Sequence, residues 1–189
     1  MPEIVAIIGA GPLGRWLALA AARAGFRVQL EDVMPANLHH AQQLLRQQLG
    51  PQPLAETPDP EGTLPVTFVS TIEDAVRNAD LVIDCVPDEL ESKLEILLLL
   101  DRMAPPRTVL ATPTTRHSIA DLASCTYRPA KCVAIVAEAN TLAGNPEDGA
   151  NREILLRTTT QTAPQTVALL DSFWRQLGFT PRFDKDRAI

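Results

Sequence analysis

Short unbroken apolar runs recur along this chain, separated by stretches whose apolar positions repeat every three to four residues. The runs read as strands of a sheet buried on both faces, and the intervening stretches as amphipathic helices lying against it. Ile4-Val5-Ala6-Ile7-Ile8 is the first run, and Gly9-Ala10-Gly11-Pro12-Leu13-Gly14 follows it directly. A helical pattern through Leu13, Leu17, Ala18 and Ala21 comes next, then Gly25. A second run, Phe26-Arg27-Val28-Gln29-Leu30, ends in Glu31-Asp32.

Further along, Pro35 to Leu49 predicts an amphipathic helix with Leu38, Ala41, Leu45 and Leu49 inward, closed by Gly50-Pro51. Residues 51–65 hold five prolines and read as a surface loop. Strands are expected over Leu64 to Ser70, Leu81 to Val86, Thr108 to Thr112, Lys131 to Ala137, Glu153 to Arg157 and Phe179 to Phe183. Helices are expected at Thr71 to Val76 with Thr71 as cap, at Leu90 to Met103, at Ser118 to Leu122 with a capping-box pattern, and at Ala163 to Leu177. Residues 140–151 read as loop. This strand–helix alternation implies an α/β fold: one Rossmann-like, doubly wound and mostly parallel sheet, a single domain over residues 1–189.

The opening stretch has the order and spacing of a dinucleotide-binding fingerprint: strand, glycine turn, helix, strand, acid. Gly9 permits the tight turn, Gly11 lets backbone approach a pyrophosphate, and Gly14 lets the helix pack closely on the first strand. Pro12 and Leu13 open the helix whose free amides and positive dipole end face the phosphates. Asp32, eighteen residues beyond Gly14, is placed to accept from the adenosine ribose and to repel a 2′-phosphate, which favours NAD over NADP. Glu31 is the competing acid, directed to the other side by strand alternation.

Composition narrows the partners. The content is 46% hydrophobic and 21% charged, as in an ordinary globular protein, and the net charge of −6 argues against nucleic acid or an anionic membrane. Cys85, Cys125 and Cys132 lack CxxC spacing and read as reduced thiols of a cytoplasmic protein. No secretory leader precedes the first run, and the aliphatic run Ile96 to Leu100 is too short to span a bilayer. His39 and His40 are adjacent on a helix and point about 100° apart, so no shared metal is expected.

With these segments laid out, the chain resembles the NAD-binding domain of the 3-hydroxyacyl-CoA dehydrogenases. The resemblance rests on GAGPLG, ARAGFRVQLED, ADLVIDCVPDELESKLEIL, TTRHSIADLA followed by RPAKCVAIV, and the closing LGFTPRFDKD. It implies NAD as cofactor, a place in fatty-acid metabolism, and a homodimer completed by a C-terminal helical domain. It also implies that Asp88 and Lys93 lie beside the ribose and nicotinamide end of NAD. Thr115 stands where the family has a serine that touches substrate and nicotinamide.

The same alignment departs from the family where the proton is handled. Oxidising an alcohol needs a base near the oxygen as hydride leaves. Val136 stands in the place of the family's histidine, and Leu155 or Leu156 in that of the glutamate orienting it, unless Glu153 fills the slot after a two-residue slip. His117 and Glu138 are the substitute acid/base candidates. The chain ends at Ile189, where the family continues into its helical domain, so Phe173, Trp174 and Phe179 are expected to form an exposed apolar rim. Three readings stay open: an NAD(H)-binding protein without the family's dyad, an oxidoreductase of a small hydroxy or keto compound, and half of a split enzyme needing a partner domain.

Overall fold

A computed structural model describes residues 3–49, 54–55, 65–137 and 152–186. In chain order the elements are β1 (Ile4–Ile8), α1 (Pro12–Arg23), β2 (Arg27–Glu31), α2 (Pro35–Leu49), β3 (Leu54–Ala55), β4 (Val66–Val69), α3 (Ile72–Val76) and β5 (Leu81–Asp84). They continue as α4 (Leu90–Met103), β6 (Val109–Pro113), α5 (Ile119–Ser124), a 3-10 turn at Pro129–Lys131, β7 (Cys132–Val136), β8 (Glu153–Thr158), α6 (Pro164–Gln176) and β9 (Thr180–Lys185).

Among the described residues, nine strands join one sheet in the order β3-β4-β2-β1-β5-β6-β7-β8-β9. Every neighbouring pair is parallel except β7 with β8. The reading of a mostly parallel, doubly wound sheet is therefore correct. The expected loop over residues 51–65 needs one amendment: Leu54–Ala55 pairs with Val66 and Thr67 as an edge strand. Strand alternation divides the core. Val5 and Ile7 join Leu17, Ala18, Leu30, Phe173 and Trp174 on one face. Ala6 and Ile8 join Val82, Ile96, Leu100 and Leu122 on the other.

The local signals act where expected. Thr71 Oγ1 accepts from the Asp74 amide at 3.2 Å, and Ser118 Oγ from the Asp121 amide at 3.3 Å, so α3 and α5 are both capped by their own first hydroxyl. Ala41 and Leu45 of α2 are fully buried.

The expected apolar rim is not present. Phe173 and Trp174 are 0% exposed and Phe179 is 6% exposed. The chain covers them itself: α6 lies on the same face as α1, and Gln176 Nε2 donates to the Ala24 carbonyl at 2.6 Å. Phe26, Phe173, Trp174 and Phe179 then form a continuous ring chain with centroids 5.1–5.4 Å apart. Trp16 closes it edge-on against Phe179 at 6.0 Å. Edge-to-face packing of this kind contributes about 0.5–1.5 kcal/mol per pair beyond burial.

Candidate cofactor site

β1 lies between β2 and β5, so the crossovers leave it in opposite directions and open a crevice at the carboxyl ends of the strands. The glycine turn borders that crevice. Gly9 has φ 101° and donates its amide to the Glu31 carbonyl at 2.8 Å, which ties the turn to the end of β2. Gly11 precedes α1 with no side-chain cap, and a Cβ there would meet nothing within 4 Å. Gly14 is the reverse case. A Cβ on it would stand 1.8 Å from the Gly9 carbonyl oxygen. Pro12 takes the first position of α1, leaving the amides of the next residues to face the crevice without intrahelical partners.

Asp32 is buried and does three jobs at once. Its Oδ2 accepts from the Ala10 amide at 2.8 Å and from Asn37 Nδ2 at 3.1 Å, while its Oδ1 accepts from the Met34 amide at 2.8 Å. The carboxylate thus braces the glycine turn against the entry to α2. A cavity of about 300 Å³ lies alongside, between α2 and the tip of β4, with Leu38, Gln42, Phe68 and Ser70 in its wall.

Glu31 points to the opposite face, where its register neighbours are Ile8 and Val69. Burial, then the negative charge of Asp32, pushes its carboxyl from 4.5 up to about 7. Between those values the folded protein keeps a proton that the unfolded chain has released, so stability falls as pH rises from 4.5 to about 7. A shift of this size corresponds to at most about 3 kcal/mol, less the part that solvent at the strand end screens. Glu31→Gln is expected to raise the melting temperature above pH 7 and to leave it unchanged below pH 4.5, as checked by thermal denaturation across that range.

At the other end of the crevice is a cavity of about 450 Å³. Gly11, Pro12, Leu13, Cys85, Val86, Asp88, Thr114, Thr115, Arg116 and Ala137 line it. Asp88 Oδ2 accepts from the Thr115 amide at 3.1 Å, and its buried Oδ1 has no hydrogen-bond partner. Cys85 is a free thiol, and burial pushes it well above its ordinary range, so it stays protonated.

Lys93 turns inward from α4. Its side chain is 0% exposed and its Nζ sits 2.6 Å from Asp84 Oδ1, beneath the cavity and not in its wall. Burial raises the Asp84 carboxyl while the Lys93 ammonium pulls against it. The sequence analysis does not single out Asp84, whose one signal is a charge closing an otherwise apolar strand. His117 lines a separate cavity behind the 115–118 loop, and its Nε2 lies 3.8 Å from Asp88 Oδ1 and 3.4 Å from the Asp88 carbonyl. Glu138 lies outside the described residues.

The positions that the resemblance suggests for the family's dyad lie on neighbouring strands. Val136 stands directly opposite Leu155 in the antiparallel β7–β8 pair. Leu156 is fully buried in the core on the other face of the sheet. Glu153 is off this register and pairs with Arg182 at 3.2 Å.

Comparison with known proteins agrees with this geometry. The model of the 3-hydroxyacyl-CoA dehydrogenase NAD-binding domain matches residues 4–136. A probable 3-hydroxybutyryl-CoA dehydrogenase of Bacillus subtilis is 32% identical over 133 residues, covering 68% of this chain and 46% of that protein. A 5-formyl-3-hydroxy-2-methylpyridine 4-carboxylate 5-dehydrogenase of Mesorhizobium japonicum is 29% identical over 94% of this chain and 55% of its own length. The crystal structure of an enzyme of that activity superposes with TM-score 0.78 at 30% identity, covering 99% of this chain and 59% of the other. The chain thus spans about half the length of these curated relatives. The glycine turn, the open face at Gly11 and the crevice beyond it fit NAD, the cofactor of this domain family. The chain belongs to the 3-hydroxyacyl-CoA dehydrogenase family, through its NAD-binding domain.

Proposed function

We propose that this chain holds NAD(H) across the Gly9–Gly14 turn and does not itself carry out the family's proton transfer. Gly9, Gly11, Pro12, Leu13 and Gly14 take the pyrophosphate, and Asp32 takes the adenosine ribose. Asp88 and Thr115 stand at the nicotinamide end, and Lys93 acts there only through Asp84. NAD, when bound, supplies the hydride acceptor. The observation that carries the reading is the Val136–Leu155 pair. Two aliphatic side chains face each other where a base and its orienting acid are needed, and neither can take a proton. Such a unit serves as a redox-state sensor, or as a cofactor-binding part that works with a homodimer mate or a partner domain.

Calorimetry with NAD, NADH and NADP tests it. NAD and NADH are expected to bind, and NADP to bind about tenfold or more weakly, because the Asp32 carboxylate opposes a 2′-phosphate. Asp32→Asn is expected to narrow that gap. Absence of NAD and NADH binding at millimolar cofactor would overturn the proposal.

A second reading has one observation in its favour. From the cavity behind the 115–118 loop, His117 brings Nε2 to 3.8 Å from Oδ1 of Asp88, a crevice residue whose oxygen has no hydrogen-bond partner. An imidazole so placed is a general acid/base for a small hydroxy or keto compound. NADH turnover against 3-keto and 2-keto acids, lost in His117→Ala, would replace the first reading by this one.

A further inference from the structure

We infer that the cavity behind the 115–118 loop is an oxyanion site, which takes the carboxylate or phosphate of a small molecule whose other end reaches the cofactor crevice. It measures about 380 Å³ and lies between that loop and the strands β8 and β9. Three cationic side chains line it: Arg116, Arg157 and Lys185. Among the described residues none of the three has an ion-pair or side-chain hydrogen-bond partner.

Arg157 is the informative one. Its β8 neighbours Leu156 and Thr158 are buried on one face, and alternation sends Arg157 to the other, where it is half-buried. A guanidinium keeps its charge at every accessible pH. Among the described residues Arg157 makes no ion pair, although Asp184 is its register neighbour on β9, so a bound anion would supply the close partner that its half-buried charge lacks. The acids in the same wall accept from other groups. Asp186 Oδ2 accepts from Ser118 Oγ at 2.7 Å and from the Ala120 amide at 3.0 Å, and Asp184 Oδ1 accepts from the Lys185 amide at 2.9 Å. Three cations against two carboxylates leave the cavity lining with one positive charge in excess. Guanidinium groups match carboxylate and phosphate oxygens with paired N–H donors.

Thr115 and Arg116 line this cavity and the cofactor crevice alike. A small acid anchored at Arg157 therefore extends toward the nicotinamide end. That extension rests on the NAD reading above; the anion site itself does not.

Titration calorimetry on the full chain tests it, with malonate, inorganic phosphate and the uncharged isostere malonamide as probes, each with and without saturating NAD. Malonate is expected to bind at least tenfold more tightly than malonamide. Arg157→Gln is expected to weaken it at least tenfold, Arg157→Lys to restore part of the loss, and NAD affinity to stay unchanged in both variants. Phosphate binding tighter than malonate, with the same Arg157 dependence, supports the site and names phosphate as its source. Malonate and malonamide binding alike, or malonate binding that ignores Arg157→Gln in a variant with an unchanged melting temperature, overturns it. Malonate binding in a protein that takes no NAD would sink the cofactor reading and keep this one.

Discussion

Replacing Lys93 by methionine is expected to destabilise the protein by about 3–5 kcal/mol, the cost of breaking a fully buried ion pair by removing one partner. For a chain of this size that is a fall of about 10 °C in melting temperature. The reason is geometric. Lys93 Nζ lies 2.6 Å from Asp84 Oδ1 with both side chains at 0% exposure, and Asp84 Oδ2 already has no partner. Without the ammonium, only the Thr112 hydroxyl still opposes the burial that raises the Asp84 carboxyl, and the acid is driven to take up a proton to remain inside. A carboxyl raised in the folded state costs stability as pH rises, so the loss should be larger above neutral pH than in mild acid. Thermal denaturation of Lys93→Met at both ends of that range checks the sign. The double variant Asp84→Leu with Lys93→Met should recover most of the loss, since well-packed apolar residues replace a buried pair at little cost. Equal destabilisation in the single and double variants would mean that the pair contributes shape and not charge.

That pair marks where the legibility of the sequence stops. The β1–glycine–α1–β2 unit could be read directly, because each of its demands is local: a turn, an open approach, a close packing, an acid at fixed spacing. The limits of α2 and α4 were readable for the same reason, from apolar period and flanking glycine or proline. What could not be read depends on contacts distant in sequence. The reversal of β8 and β9 is a property of the whole sheet, and the edge strand at Leu54–Ala55 exists only because β4 lies beside it. Phe173, Trp174 and Phe179 looked like an unsatisfied rim because their cover, α1 and Phe26, comes from the far end of the chain.

The candidate site divides in the same way. Asp88 and Thr115 line the crevice, and the Thr115 amide donates to Asp88 Oδ2. Lys93, on α4, turns beneath the cavity to Asp84, and His117 lines the cavity behind the 115–118 loop. A residue's place along an element is legible from spacing, whereas the partner that captures a long side chain is settled by three-dimensional packing.

Gly14→Ala should both destabilise the fold and abolish tight cofactor binding, while Gly11→Ala should do only the second. At Gly14 the new Cβ meets the Gly9 carbonyl oxygen at 1.8 Å, where ordinary contact begins at 3.4 Å. Both partners are backbone, so no rotamer relieves the clash; α1 must move off β1. Overpacking that side chains can absorb costs about 1–3 kcal/mol, and this case belongs at or beyond the upper end. A misplacement of that size in the helix amides is also expected to cost about 100-fold in NAD affinity, on the scale of a 1 Å error in positioning. Gly11 has φ −67°, which any residue adopts, and nothing within 4 Å of its added Cβ, so Gly11→Ala should melt with the parent protein. Its methyl group enters the space assigned to the pyrophosphate. Calorimetry with NAD on the two variants, beside their melting curves, separates packing from contact. If Gly11→Ala binds NAD as the parent does, the pyrophosphate does not pass over that residue, and the assignment of the turn fails even though the fold stands.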